Sequence, residues 1–238
     1  MDGRRGFTLV ELVFVVGILA VVVGLLLPSL ESVVVNARRT RAMAQTRQNM
    51  LLIDLFASDH DDQYPLASTE QMASAKYEWY QPLIDAGVAS SLDDVGKYDG
   101  PLWNLSPTTF ELSECVVRRP ETMVPGDVPV RSAVRPSIVR RHDVSFPSRK
   151  GIIFQYSLPY ESRYIGRVTP MQTSDGRHIP TPMAWCCALP VTAPIGFGDG
   201  SVYIYSYRQL LKQALVVENG VGYPVISTWY GCRGVDRD

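Results

Sequence analysis

Few side chains in this chain of 238 residues have the type and spacing to do chemistry. Four cysteines, Cys115, Cys186, Cys187 and Cys232, show no Cys-x-x-Cys spacing, which argues against a zinc site. In an exported segment they are candidates for disulfides. Four cysteines allow three pairings. Setting aside a strained vicinal Cys186–Cys187 bond leaves two, with Cys232 joined to Cys115 or to one of the vicinal pair. The alternative is four reduced, buried thiols. The histidines, His60, His142 and His178, form no His-Glu-x-x-His pattern, and there is no Gly-x-Ser-x-Gly elbow, Walker loop or dinucleotide fingerprint. The residues therefore predict no enzyme and no catalytic site.

A second group is acidic. Asp59, Asp61 and Asp62 stand where a long helical pattern runs out, and carboxylates at a helix C-terminus oppose its dipole, so they want a cation or water. Read as a calcium loop from Asp59, Asp61 and Gln63 take the third and fifth places and Glu70 the twelfth, but Tyr64 stands where the turn needs Gly. A solvated, helix-ending turn is the plainer reading, with calcium at Asp59 and Asp61 as the sharper one. Asp199, before Gly200, is read as an acceptor in its own turn, with a bound cation as the alternative.

The third feature is one carboxylate in an apolar run. Residues 7–30 carry a single charge, Glu11. As a helix they would be roughly 36 Å long, enough to cross a hydrocarbon core of about 30 Å. Arg4 and Arg5 precede them in a six-residue leader. A secretory signal peptide would need a shorter apolar region and a small-x-small cleavage site; this run is longer and continues through Pro28-Ser29-Leu30-Glu31. An ionisable residue inside such a segment costs about 2.5–3.5 kcal/mol at mid-bilayer, less near an end, and points to function.

Gly6 followed by Phe7-Thr8-Leu9-Val10-Glu11-Leu12, a long apolar helix and Pro28 resembles the N-terminus of type IV prepilins and type II secretion pseudopilins. The resemblance implies cleavage after Gly6 by prepilin peptidase, methylation of the new N-terminal Phe7, and a role for Glu11 in subunit assembly through the Phe7 amine of an adjacent subunit. It covers about the first 30 residues closely. Three later segments are similar to a branch of pseudopilin-like proteins: Asp59-His60-Asp61-Asp62-Gln63-Tyr64-Pro65, Phe146-Pro147-Ser148-Arg149-Lys150, and Phe197-Gly198-Asp199-Gly200-Ser201-Val202. Many members of that branch carry a histidine ten residues before the hairpin Asp; here that place is Leu189.

These residues must be positioned by a helix and a head. Helical spacing of Leu30, Val33, Val34, Ala37, Ala44, Leu51, Leu55 and Phe56 predicts one helix over about 7–58, kinked at Pro28, apolar all round in its first half and amphipathic in its second. The domain plan is a leader at 1–6, a transmembrane and polymerisation helix at 7–30, its amphipathic continuation at 31–58, and an extracytoplasmic head at 59–238. In the head, a short helix is expected around 77–84, strands at 151–156, 164–168 and 183–189, and a hairpin over 195–205 with Asp199-Gly200 at its turn. A helix over 209–218, stopped by Gly220, and a last strand over 223–230 complete the expectation. The fold class is α+β and pilin-like, a long N-terminal helix packed on an antiparallel sheet. With 23 Lys+Arg and 24 Asp+Glu and no like-charge block, nothing points to nucleic acid.

The resemblance implies a subunit of a pseudopilus or type IV pilus-like filament for type II protein secretion. Its partners would be prepilin peptidase, other pilin or pseudopilin subunits and an inner-membrane assembly platform. It would be single-pass in the bacterial inner membrane, with the head in the periplasm or cell envelope. Arginines on both sides of the run, Arg4 and Arg5 before and Arg38, Arg39 and Arg41 after, leave the positive-inside rule undecided, so this orientation comes from the resemblance alone. The alternative is a membrane-anchored extracytoplasmic binding module that does not polymerise, or an anchored hydrolase.

Overall fold

A computed structural model describes residues 8–70, 75, 78–96, 110–123, 135–155, 171–172, 178–179, 192–206, 209–210, 217–218, 221–222 and 230–237, with the backbone alone at 26–29, 31–32, 35, 171–172, 178–179, 206, 217–218 and 221–222. The chain divides into two compact units, Met1–Thr40 and Arg41–Asp238. Helix α1, Leu9–Asp59, contributes to both. The unit Met1–Thr40 is described by the first 32 residues of α1, whose apolar side chains from Leu9 to Leu25 stand exposed. Among the described residues no helix is long and apolar enough to cross a membrane; the described side chains of α1 run unbroken over 9–25, 17 residues.

In the second unit the last turns of α1 lie against a four-stranded antiparallel sheet of order β1-β2-β5-β6. Its strands are β1 (Phe110–Leu112), β2 (Gly151–Gln155), β5 (Thr192–Phe197) and β6 (Val202–Ser206). The α+β class expected from the sequence is what the structure shows. Every residue of β2 is buried, as its unbroken apolar run requires of a strand covered on both faces. The expected hairpin is β5–β6: Gly200 takes φ 79° and donates its N–H to the Phe197 carbonyl at 2.9 Å. The short helix is α2, Gln81–Asp85, and Trp79 beside it is fully buried with its indole N–H on the Phe110 carbonyl at 3.2 Å. Two further hairpins are β3 (Met171–Gln172) with β4 (His178–Ile179), and β7 (Val217–Glu218) with β8 (Val221–Gly222). The strands expected at 164–168 and 183–189, the region around Trp103, and Cys186 and Cys187 lie outside the described residues.

Two expectations are corrected. The helix expected over 209–218 does not reach its end, because Val217 and Glu218 pair with Gly222 and Val221. The sequence between them is Asn219-Gly220, the dipeptide that favours a two-residue hairpin turn, and that local signal outweighs the helical spacing of the leucines before it. Tyr230 is likewise no strand residue; it sits at φ 64° before a 3₁₀ turn, Gly231–Arg233. The buried stripe of α1 also differs from the apolar spacing. Ala42, Thr46, Asn49, Met50, Ile53, Phe56 and Ala57 are buried, whereas Leu51 and Leu55 are exposed at 69% and 52%. Counting apolar residues alone skips Thr46 and Asn49, which are buried because their polar groups are satisfied, by the Ala42 carbonyl at 2.8 Å and the Val95 carbonyl at 3.3 Å.

Helix and sheet meet at a glycine. A Cβ on Gly196 would lie 2.6 Å from Met50 Cγ and 2.9 Å from Ile153 Cγ2. The far edge of the head is held by its last residues. Asp236 N–H donates to the Arg149 carbonyl at 2.9 Å, and Arg149 Nε returns a bond to the Arg237 carbonyl at 2.8 Å. The Arg237 guanidinium lies over the rings of Phe197 and Tyr203, 4.2 and 4.5 Å from their centroids.

Gly196→Ala is therefore expected to lower stability by about 1–3 kcal/mol in urea unfolding, as overpacking of a filled core does. Shortening the opposing side chain should recover part of it: Met50→Ala should cost less in the Gly196→Ala background than in the parent. Equal costs in both backgrounds would show that the two positions do not share the contact.

Candidate functional site

Two places gather the residues singled out by the sequence: the start of α1 and its end. At the start, Gly6 and Phe7 lie outside the described residues. Thr8 is the N-cap and Glu11 the third helical residue. The Glu11 carboxylate accepts from Thr8 N–H at 2.9 Å and from the Thr8 hydroxyl at 2.8 Å, while Glu11 N–H donates to that hydroxyl at 3.2 Å. This is a reciprocal capping box, in which donors left over at the helix start are satisfied from within one turn. Its signature, Thr-x-x-Glu before an apolar run, was legible in the sequence, and Thr8 is the partner that reading of the spacing from Phe7 overlooked. Glu11 is thus not an idle charge: it closes the helix end and places a carboxylate one turn from the Gly6-Phe7 junction.

At the other end, α1 closes as a helix does before a left-handed residue, but without glycine. Asp61 and Asp62 take φ 48° and 65°, and Asp62 N–H reaches the Ala57 carbonyl at 2.9 Å. Asp is one of the few residues that tolerate this conformation. Asp62 is the centre of a polar clamp: its Oδ1 accepts from Arg141 Nε at 2.5 Å, and its Oδ2 from His142 N–H at 3.2 Å, with His142 Nδ1 at 3.1 Å. Arg141 also approaches Asp54 Oδ1 at 3.5 Å, and its N–H donates to the Asp62 carbonyl at 2.8 Å. No local signal in the sequence joins Arg141 to Asp62, 79 residues away. Desolvation pushes the Asp62 carboxyl up, but the Arg141 and His142 bonds and the Arg141 charge outweigh it and hold the group below its ordinary value.

The metal candidates are not brought together. Asp59 is the last residue of α1 and is exposed, Asp61 is exposed beside it, and Asp199 Oδ1 accepts from Ser201 N–H at 3.0 Å and from the Ser201 hydroxyl at 2.6 Å. Among the described residues no group of three or more His, Cys, Asp or Glu side chains is arranged to hold a metal ion. Of the cysteines, Cys115 and Cys232 are both buried and stand as thiols.

Residues 1–27 match the family described as the prokaryotic N-terminal methylation motif, the cleavage and methylation segment of prepilins and pseudopilins. No curated protein and no solved structure matches the chain. The match ends before the head begins and spans the Gly6-Phe7 junction and the Thr8–Glu11 cap together. It marks a type IV pilin-like or pseudopilin subunit, processed as prepilins are, and suggests membrane anchoring and a structural rather than enzymatic role.

The clamp at the end of α1 has a pH signature. A carboxylate whose folded pKa lies below its ordinary 3.8 contributes stability above that pH, and loses it as the pH falls through the lowered value. Asp62→Asn keeps the left-handed backbone but removes the charge. It is expected to cost on the order of 1 kcal/mol at pH 7, the range of a charge-assisted bond discounted for partial exposure. In urea unfolding the gap to the parent should narrow between about pH 4 and pH 2. A gap of constant size across that range would mean that the charge on Asp62 contributes nothing.

Proposed function

We propose that this chain is a structural subunit of a pseudopilus or type IV pilus-like filament serving type II protein secretion. Prepilin peptidase would cut after Gly6, Phe7 would be methylated, and the mature chain would be anchored in the bacterial inner membrane with its head in the periplasm or cell envelope. The observation that carries this reading is the methylation motif at residues 1–27. The sequence supports the anchor: residues 7–30 hold one charge, and a span needs about 20 apolar residues.

Glu11 then has two employments. In the free subunit its carboxylate caps its own helix through Thr8. In hydrocarbon an uncompensated carboxylate costs a few kcal/mol, and the cap hydrogen bonds satisfy its oxygens without neutralising its charge. Packed among neighbouring helices it needs a cation. The amine of Phe7 in an adjacent subunit supplies one, and that amine exists only after cleavage. Processing would thereby precede assembly, and the pairing would set the axial register between subunits. Other pilin subunits and an inner-membrane assembly platform are the partners this reading requires. The exposed Leu51 and Leu55 offer a second apolar strip for such packing.

Mass spectrometry of the membrane-extracted chain is expected to find N-methylated Phe7 as the first residue. Asp2, Gly3 or Arg4 still attached would overturn the reading. The cap and the charge can be tested apart. Glu11→Gln keeps a side chain able to cap but removes the charge, while Thr8→Ala loses the hydroxyl and keeps the charge. Cross-linking of mature subunits in membranes should show Thr8→Ala entering filaments and Glu11→Gln inserted, cleaved and left out. Assembly of Glu11→Gln at the parent's level would sink the ion-pair mechanism.

A further inference from the structure

The core of the head holds a group of side chains that pilin-type processing does not use. Lys150, just before β2, is fully buried, and its ammonium meets Asp236 Oδ1 at 3.3 Å; Asp236 Oδ2 accepts from Gly151 N–H at 2.8 Å. A buried charge needs such a partner, and removing one side of a buried pair leaves the other stranded. Burial works against the Lys150 ammonium, and the Asp236 carboxylate, with Cys115 adding to it, more than restores it. The Lys150 charge also reaches Cys232.

Cys115 lies in the 3₁₀ turn Glu114–Val116 and Cys232 in the 3₁₀ turn Gly231–Arg233, and these two turns pack on one another. Both thiols are completely buried. Each turn is pinned by backbone bonds. Cys115 N–H donates to Ser113 Oγ at 3.2 Å, and Ser145 N–H donates to the Cys232 carbonyl at 3.3 Å. Met123, which packs on Cys115, accepts from Tyr230 N–H at 2.6 Å through its carbonyl. Two thiols brought together in fixed turns, in a segment read as exported, have the arrangement that a cross-link needs.

We propose that Cys115 and Cys232 form a disulfide in the mature protein, made by exchange with an oxidised dithiol protein of the cell envelope. The compartment in this statement rests on the proposed function; the pairing rests on the packing. One thiolate attacks the oxidant's disulfide, the second displaces the oxidant from the mixed disulfide, and the oxidant leaves as a dithiol carrying the two electrons and two protons. The step belongs to folding. Once the head has closed, burial and the neighbouring Cys115 push the Cys232 thiol up to about 11, which keeps it protonated and slow to exchange. The bond would fix the segment that delivers Asp236 to Lys150, and Asp236 would remain as the partner of the ammonium.

Trypsin separates the candidates, since Cys115 falls in 98–118, Cys186 and Cys187 in 178–208, and Cys232 in 213–233. The full chain is extracted from membranes in detergent with thiols blocked by N-ethylmaleimide, digested and mapped with and without reductant. A second sample is reduced, unfolded, and refolded in a glutathione redox buffer before the same mapping. The expected result is 98–118 joined to 213–233 in both, separating on reduction. The pairing is overturned if neither sample holds that link, whether 213–233 is joined to 178–208 or both thiols are alkylated. If the refolded chain holds the link and the membrane chain has both thiols alkylated, the pairing stands and the exported-head reading fails.

Discussion

The head depends on a contact made by the absence of a side chain. Met50 of α1 and Ile153 of β2 close over Gly196, and any Cβ there would lie within 3 Å of both. This brings helix backbone and sheet close enough for the short strand β5 to be covered from one side, while Phe197, the next residue, is covered by Arg237 from the other. The rest of the core, from Trp79 to Val144, fills in around that approach. The same residues of α1 that dock here also hold the loop at 90–96, where the Gln45 and Gln48 amides both donate to the Asp94 carbonyl at 2.8 and 2.9 Å.

What could be read from the sequence was what local spacing encodes. The long helix, the buried strand β2 and the β5–β6 hairpin each carry their signal within about ten residues. The capping box was equally local, but the reading of Glu11 as a charge in hydrocarbon drew attention away from Thr8. The β7–β8 hairpin was missed because an Asn-Gly turn was weighed as a helix stop. The buried face of α1 was misread because two of its members are polar and are satisfied only by tertiary or i−4 partners.

The remaining contacts had no local trace. Arg141 finds Asp62 and Lys150 finds Asp236 across 79 and 86 residues, and in each case neither residue's neighbours announce the pairing. Such pairs are also where the head is least tolerant. A carboxylate that closes a helix and a lysine that is wholly buried are each held by one partner, and nothing nearby could replace it.

The place of Asp236 in the chain has a temporal meaning. The ammonium of Lys150 and the first N–H of β2 wait for a carboxylate that is made 85 residues after Gly151 and 177 residues after the last residue of α1. At a synthesis rate of about 5–20 residues per second, α1 is complete roughly 9–35 s before the core can be neutralised. During vectorial synthesis the helix is therefore available to a translocon or a bilayer while the head is still an open chain with an unpartnered cation. Docking of the two is a late event, and the ribosome sets the interval between them.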